Sequence, residues 1–164
     1  MKKRIIIIFC FVLLVGVCVW RFRPLSFSNI TISNEKNLIL HSVTHVHITF
    51  DDGHHVYLLD KEQINTEITK DILEILDSSS YSQDFRNLCP WGVNRVNNDK
   101  NFDGNVVEIL VGVAEEEWVN VHFTSSSLVF VGGNKFTGFR IYHPTSDETI
   151  YKLAEYIKEN GTKQ

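Results

Sequence analysis

The longest apolar run of the chain lies near its N-terminus, where residues 5–20 (IIIIFCFVLLVGVCVW) form sixteen consecutive positions without a polar side chain. Basic residues flank this run, at residues 2–4 before it and at Arg21 and Arg23 after it. A helix of this length covers about 24 Å, and lysine and arginine side chains at its ends can extend to the headgroups of a bilayer whose hydrocarbon core is about 30 Å thick. The pattern predicts a membrane anchor within residues 1–23 that contacts the lipid bilayer through residues 5–20.

Three outcomes are open for this anchor. The flank with more basic residues stands before the run, which favours a single-pass signal anchor with a cytoplasmic N-terminus and the rest of the chain outside the cell membrane. Cleavage near residues 26–28 (Ser-Phe-Ser) would instead give a secreted protein, and lipidation of Cys18, which follows Val-Gly-Val, would give a lipoprotein. In each case residues 24–164 form a domain outside the cytoplasm.

After the anchor, the spacing of the apolar residues is typical of a domain that contains both strands and helices. Residues 27–33 alternate apolar and polar side chains, which predicts a half-buried strand. Asp60, with Gln63 three residues later, is predicted to cap a helix over residues 61–77. The apolar stripe of this helix would consist of Ile64, Ile68, Ile72, Ile75 and Leu76.

A hairpin is predicted between these two elements. Alternating runs at residues 43–50 and 55–59 flank Asp52-Gly53, a dipeptide typical of two-residue hairpin turns. Such a turn pairs Ile48 with Tyr57. It would place Val46, Ile48, Phe50, His55, Tyr57 and Leu59 on the core face, and His45, His47, Thr49, Asp51 and His54 on the opposite face.

The second half of the domain begins with a long polar stretch, residues 78–104, predicted to be a loop. Three strand regions follow: a central strand at 105–113, a strand at 118–123, and a second hairpin formed by 128–131 and 136–142. The last element is a helix that is predicted to begin with a capping box at Thr145–Glu148 and to end at Gly161. Its buried stripe would consist of Ile150, Leu153, Ala154 and Ile157. We therefore expect an α+β fold, with the transmembrane helix followed by an antiparallel sheet and two helices packed on one face. The domain divides into a hairpin plus helix (27–77), the loop (78–104), and a sheet plus C-terminal helix (105–160).

The charge and the cysteine content of the chain limit the partners and the disulfides that the domain can have. Five of the sixteen Lys and Arg residues flank the anchor, which leaves eleven against twenty Asp and Glu, a net charge of −9 for the domain. A domain this acidic is a poor partner for nucleic acid. Cys10 and Cys18 lie in the apolar run and Cys89 alone lies in the domain, so no disulfide can form within it.

Histidines provide the first candidate site. His45 and His47 are two residues apart on a predicted strand, so they project from one face about 6.6 Å apart and could share a divalent cation such as zinc. A third ligand would have to come from elsewhere, for example His122 or His143. The alternative is that these histidines form an ordinary exposed polar face of an antiparallel sheet.

A calcium site is the second candidate. Asp99, Asn101, Asp103 and Gly104 match the first half of a calcium-binding loop, with oxygen ligands at alternate positions and a glycine at the sharp turn. The position of the usual bidentate glutamate is occupied by Leu110. The alternative is a polar loop that leads into a strand.

Signs of catalysis are few. The chain contains no G-x-S-x-G elbow, no HExxH motif and no glycine-rich phosphate loop. Cys89 with His122 or His143 is the combination that remains for nucleophilic catalysis. We therefore expect no enzymatic activity, with a cysteine-dependent hydrolase as a minor alternative.

The order of elements resembles small membrane-anchored extracytoplasmic domains of unknown function from low-GC Gram-positive bacteria. The resemblance rests on MKKR before the apolar run, on the strand pattern that ends in HITFDDGHHVYLLDKEQ, and on the helix ITKDILEILDSSSY. It implies a surface location and brings no activity with it. The expected function is a membrane-tethered, non-enzymatic domain that binds a surface protein or another ligand, with the binding of a divalent cation, calcium or zinc, as the alternative.

Overall fold

A computed structural model describes residues 2–31, 39–49, 53–88, 104–114, 117–125, 127–134 and 138–164. Within these residues it confirms the α+β class, with an apolar N-terminal helix, an eight-stranded antiparallel sheet and further helices. The helices are α1 (Lys2–Arg21), α2 (Phe27–Thr31), α3 (Thr66–Asp77) and α4 (Glu148–Asn160), with a short 3-10 helix at Phe85–Leu88. The strands are β1 (Ile39–Thr49), β2 (Gly53–Leu59), β3 (Tyr81–Gln83), β4 (Asn105–Ala114), β5 (Glu117–Ser125), β6 (Leu128–Gly133), β7 (Arg140–Pro144) and β8 (Thr162–Lys163), in the sheet order β3-β7-β6-β5-β4-β1-β2-β8.

Helix α1 stands apart from the core of the domain. In the described part of the chain, the span Arg4–Arg21 is the one helix long and apolar enough to cross a membrane. None of that span is buried within the protein, so its isoleucine, leucine, valine and phenylalanine side chains remain exposed. The predicted apolar helix is therefore confirmed, and its surface is available to lipid.

The core forms around β4, which lies between β1 and β5 and so has the central position that the sequence predicted for it. Val107, Ile109 and Val111 of this strand are fully buried. Helix α4 packs against β1, β2 and β4, and α3 packs against α4. The predicted stripes of both helices face this core, and each fully buried apolar side chain contributes about 1.5–3 kcal/mol. The packing of both helices on a single face of the sheet stays a prediction.

The strand predicted for residues 27–33 is wrong over residues 27–31, which form helix α2, and residues 32 and 33 lie outside the described residues. Phe27, Ile30 and Thr31 are buried, at the i, i+3 and i+4 spacing of one helix face. The Ser26 hydroxyl oxygen accepts a hydrogen bond from the backbone N–H of Asn29 at 3.3 Å, as an N-cap does. Positions four apart fit both the period of a strand and that of a helix, so a run this short could not decide between them.

Helix α3 begins at Thr66 rather than at residue 61. Asp60 and Gln63 do form the predicted reciprocal bonds, each side chain accepting from the other's backbone N–H at 3.0 Å. They close one turn, after which Asn65 caps α3 by accepting from the N–H of Ile68 at 2.9 Å. The predicted capping bonds are therefore confirmed, but they close a separate short turn before α3.

The two ends of α4 agree with the sequence prediction only in part. The capping box predicted before α4 is wrong, because Asp147 is the N-cap without a side-chain bond and the Thr145 hydroxyl accepts from the backbone N–H of Ser80 instead. Gly161 is confirmed as the C-cap, since its N–H donates to the carbonyl of Ile157 at 2.8 Å.

The stretch predicted as a loop, residues 78–104, contains β3 and the 3-10 helix, and its residues 89–103 lie outside the described residues.

The register of the β1–β2 hairpin also corrects the sequence prediction. Ile48 pairs with His54 rather than with Tyr57, and Tyr57 pairs with His45. The register is displaced by three residues, an odd number, which turns the whole of β1 over relative to β2. His45 and His47 therefore share a face with His55, Tyr57 and Leu59, and the predicted division of the two faces is wrong for β1.

Candidate functional site

A pocket of about 350 Å³ lies between the sheet and helix α4. We call it the histidine pocket. Strands β1, β2 and β4 provide its polar floor, and α4 provides the opposite wall. Its lining residues are His45, His47, His55, Tyr57, Asn105, Tyr151, Ala154, Glu155 and Lys158. The volume suits a small ligand, at the lower end of typical binding pockets.

His45 is the most buried polar residue of this pocket, with 4% of its surface exposed. Its ring stacks on that of Tyr57, with the centroids 6.0 Å apart and the planes inclined by 13°. Its Nε2 lies 3.0 Å from Oδ1 of Asn105, but its Nδ1 is buried without a hydrogen-bond partner among the described residues. A buried polar atom left unsatisfied costs about 1–3 kcal/mol.

Asn105 sets the tautomers of two histidines. Its Oδ1 lies 3.0 Å from Nε2 of His45 and 3.0 Å from Nδ1 of His47. Because an amide oxygen only accepts hydrogen bonds, both of these nitrogens donate. In the neutral rings, the lone pairs are then on Nδ1 of His45 and Nε2 of His47.

The backbone before Asn105 holds this bridge in place. Gly104 has φ of +91°, a conformation that favours glycine, and a Cβ there would lie 2.5 Å from the carbonyl oxygen of Ile48. Gly104 itself accepts a hydrogen bond at 2.8 Å from the N–H of Ile48. Asn105 pairs with His47 in the β1–β4 ladder, so its amide reaches the histidines from a fixed backbone position.

The electrostatics of the pocket favour a neutral His45. Burial lowers the pKa of His45 below its ordinary value, the bond to Asn105 raises it in part, and the charges of His47 and Lys158 lower it further. A neutral imidazole keeps a lone pair that can accept a proton from a ligand or bind a metal ion.

The structure brings His45 and His47 together, with ring centroids 6.3 Å apart. His54 lies on the other face of β2, and His55 takes the place beside them, directly across from His47. Neither residue considered as a third ligand lines the pocket. His122 lies 3.7 Å from Glu108, and His143 lies 2.7 Å from Asp84.

No three His, Cys, Asp or Glu side chains in the described residues are already grouped closely enough to hold a metal ion. The candidate calcium ligands Asp99, Asn101 and Asp103 lie outside the described residues. Gly104, the glycine of that motif, is described and has the positive φ that such a turn requires.

A second polar cluster surrounds Asp84, whose side chain is 3% exposed. Arg86 donates to both of its carboxylate oxygens, at 2.9 and 2.6 Å, and His143 Nε2 lies 2.7 Å from Oδ2. The other ring nitrogen of His143 lies 2.8 Å from the main-chain carbonyl of Ser127. Both nitrogens of His143 are therefore engaged by acceptors, and the histidine is not aligned to activate a hydroxyl group.

The charge on Asp84 is strongly favoured. Burial acts to raise the pKa of Asp84, but the hydrogen bonds from Arg86 and His143, with the charge of Arg86, outweigh it and hold the pKa well below its ordinary value. The cluster thus links the segment after β3 to β7 as a structural ion pair.

Sequence reasoning missed the residues that α4 and β4 contribute to the pocket. Tyr151, Glu155 and Lys158 stand at i, i+4 and i+7 of α4, which is the spacing of a single helix face. Asn105 is the polar first residue of a strand whose remaining side chains are apolar except for Glu108. Both signals are present in the sequence, but only the fold shows that they meet.

Comparison with known proteins gives no relative: no family model, no curated protein and no solved structure matches this chain. The chemistry of the histidine pocket and the apolar surface of α1 are therefore the observations from which a function is inferred.

Proposed function

We propose that this chain is a single-pass, membrane-tethered domain that binds a small polar ligand outside the cell membrane, without enzymatic activity. Helix α1 supports the tether, because it is apolar, long enough to cross a bilayer and unused by the core. The greater number of basic residues before the apolar run supports a cytoplasmic N-terminus. The net charge of −9 on the rest of the chain argues against nucleic acid as the ligand.

The observation that carries the binding proposal is the unpartnered Nδ1 of His45. Buried polar atoms in folded proteins are nearly always satisfied, and an exception beside a pocket calls for a partner from outside the described residues, a water molecule or a ligand. Nδ1 of His45 is closed to solvent in this structure, so a ligand that presents an O–H, an N–H or a cation would reach its lone pair after a small shift of the side chains around it. The pocket offers such a ligand further polar contacts from His47, Asn105 and Glu155.

The composition of the pocket supports binding rather than catalysis. Among the described residues no serine, threonine or cysteine lines it, so that part of the chain places no ordinary hydroxyl or thiol nucleophile beside its histidines. The His143–Asp84 pair is closed by Arg86 and a main-chain carbonyl. Cys89, on which a hydrolase would depend, lies outside the described residues, and that alternative stays a prediction.

A fragment screen tests the binding proposal. The full chain in detergent micelles is screened by ligand-detected NMR against small compounds that carry hydroxyl or amine donors. We expect compounds that bind at millimolar concentration, and we expect His45→Phe to abolish their binding because it removes the lone pair and fills the space. Tyr151→Ala, at a residue that is 45% exposed, should weaken binding without disturbing the core.

The matched control is His122→Phe, which changes a histidine of β5 that does not line the pocket. Binding should be the same in this variant as in the parent protein. The proposal fails if no compound binds, or if bound compounds are indifferent to both His45→Phe and Tyr151→Ala in variants whose circular dichroism shows a native fold.

The location is tested separately by adding protease to intact bacterial cells that express the chain. Residues 24–164 should be digested in intact cells, since the domain is proposed to lie outside. Protection of the domain until the cells are lysed would show that it is cytoplasmic and would overturn this part of the proposal.

A further inference from the structure

Exposed apolar side chains of the domain are concentrated at one end of the sheet. Strands β1, β5 and β7 begin at this end, and β3, β4 and β6 finish there, because neighbouring strands are antiparallel. In the described part of the chain, four of the five large apolar or aromatic side chains that are exposed outside α1 lie here. We call this the apolar end of the sheet, and its members are Ile39, Phe85, Trp118 and Phe139.

Two of these side chains are neighbours on the face of the sheet that is turned away from the core. Val119 is fully buried, so Trp118, the residue before it, projects from the opposite face. Leu40 is buried in the same way, and Ile39 therefore shares the outer face with Trp118. Gly112 of β4 pairs with Ile39 on one side and with Trp118 on the other, so no side chain separates the two.

Phe139 extends this row across β6. Val131 is fully buried, so Gly132 faces outward, and a Cβ on Gly132 would lie 2.5 Å from the Phe139 ring. The ring therefore covers Gly132 on the same outer face. Farther from the apolar end this face becomes polar, where the amide of Asn120 donates to Glu108 at 2.6 Å.

Phe85 is exposed without being loosely held. Its side chain is 71% exposed, the most of any large apolar residue described. Asn87, in the same 3-10 helix, donates to the carbonyl of Ile141 at 2.7 Å and accepts from its N–H at 2.8 Å. These two bonds fix the helix to β7, so Phe85 is presented outward by an ordered segment.

The anchor enters the domain at this same end. Leu25 and Tyr81 exchange backbone hydrogen bonds at 3.0 and 2.8 Å as an antiparallel bridge. Since β3 runs from Tyr81 toward the apolar end, the chain that precedes Leu25 lies toward that end as well. Residues 22–24 alone separate Leu25 from Arg21, the last residue of α1, and these four steps of chain cover at most about 14 Å.

We propose that the apolar end of the sheet lies against the membrane that α1 crosses, with Trp118 and Phe139 among the lipid headgroups and the upper acyl chains. This inference rests on the proposed tether and is independent of the ligand of the histidine pocket. Aromatic side chains are enriched at this depth, because their rings are apolar and the indole N–H can donate to a headgroup. The short connection to α1 makes the bilayer the surface nearest to this row.

The charges near this end do not require an anionic lipid. Arg23 lies with its guanidinium carbon 5.7 Å from the centroid of the Trp20 ring, as part of the anchor. Among the described residues of the domain, Glu117 and Arg140 are exposed there and carry opposite charges. We therefore expect the contact to form on a zwitterionic bilayer, through apolar side chains rather than through surface potential.

Quenching of tryptophan fluorescence by brominated lipids tests the contact. The full chain is reconstituted in phosphatidylcholine vesicles as three variants with one tryptophan each, all of which carry Trp91→Phe. One retains Trp118, one retains Trp20, and the third has Tyr151→Trp in place of both. Lipids brominated in the upper part of the acyl chains should quench Trp118 about as strongly as Trp20. The tryptophan at position 151 should not be quenched, because it lines the histidine pocket near the start of β4, toward the opposite end of the sheet.

The inference is overturned if Trp118 is quenched no more than the tryptophan at position 151 while Trp20 is quenched, and this result would leave the tether intact. If Trp20 escapes quenching as well, the tether fails and the inference fails with it. Emission of Trp118 that is shifted to the blue but not quenched would assign the row to contact with a protein, which equally excludes the lipid contact. Circular dichroism confirms that each variant is folded.

Discussion

At the scale of single residues, Asn105 connects the fold to the pocket. One amide oxygen accepts hydrogen bonds from two imidazoles, each at 3.0 Å. Asn105→Ala leaves both imidazole N–H groups without that acceptor, and we expect it to lower the free energy of unfolding by about 1–3 kcal/mol. Asn105→Asp retains an accepting oxygen and should keep most of the stability. Urea unfolding followed by circular dichroism compares the variants, and equal losses in both would contradict this role.

Asp84 makes the free energy of unfolding depend on pH, and the direction of this dependence can be predicted. Its pKa in the folded state lies below that in the unfolded chain, so between the two values the unfolded chain binds more protons. The stabilisation from the carboxylate is therefore fully present above about pH 5, and it is lost as the pH falls below about 4 toward the folded-state pKa.

Asp84→Asn tests this expectation. The variant should lose about 1.5–3 kcal/mol at neutral pH, because it removes the charged acceptor of Arg86 and His143. The difference between variant and parent should narrow in acid. Asp147→Asn is the control, since Asp147 is exposed and makes no side-chain capping bond. A difference from the parent that stays constant down to pH 3 would refute the assignment.

At the scale of elements, the register of β1 shows what a sequence can and cannot predict about this site. The alternation correctly predicted two strands, and the spacing of His45 and His47 correctly predicted that they share a face. The Asp52-Gly53 dipeptide predicts the register of β1 only from the turn that joins it to β2. Strand β1 also pairs along its length with β4, where Val43 lies opposite Ile109. Burial of Val43 fixes which face of β1 meets the core, and that information is not local.

The same limitation explains the error at α2 and the residues missed in the pocket. Phe27 and Thr31 fit two periods at once, and their burial in the core of the domain decides in favour of a helix. Tyr151 and Lys158 read as an ordinary polar face of α4 until the helix is placed over β1 and β2. Long periodic elements such as α4 and β4 were predictable, because their own side chains determine them.

The turn before β4 gives a prediction at this scale. Gly104 and Gly138 both have positive φ, at +91° and +95°, but only at Gly104 would a Cβ meet the backbone, 2.5 Å from the oxygen of Ile48. Gly138→Ala should cost about 1–2 kcal/mol from backbone conformation alone. Gly104→Ala should cost more than Gly138→Ala and should also displace Asn105 from the histidines. Equal unfolding midpoints for the two variants would contradict the steric explanation.

At the scale of the whole molecule, the chain separates into an apolar helix and an acidic domain with its own core. No part of the Arg4–Arg21 span is buried, so the core contacts do not depend on it. Deletion of residues 1–23 should leave the urea midpoint of the domain unchanged and yield a soluble protein. A large loss of stability on deletion would show that α1 takes part in the fold beyond its role as a tether.

The most direct test of the binding account is the protonation state of His45. In the full chain with ¹⁵N-labelled histidine, a two-bond ¹H–¹⁵N correlation spectrum distinguishes the tautomers, and His45→Phe assigns the signals. The account predicts a neutral His45 at pH 7 with the proton on Nε2 and a bare Nδ1, whose resonance shifts when a binding fragment is added. A proton on Nδ1, or a fully protonated ring, would contradict the account.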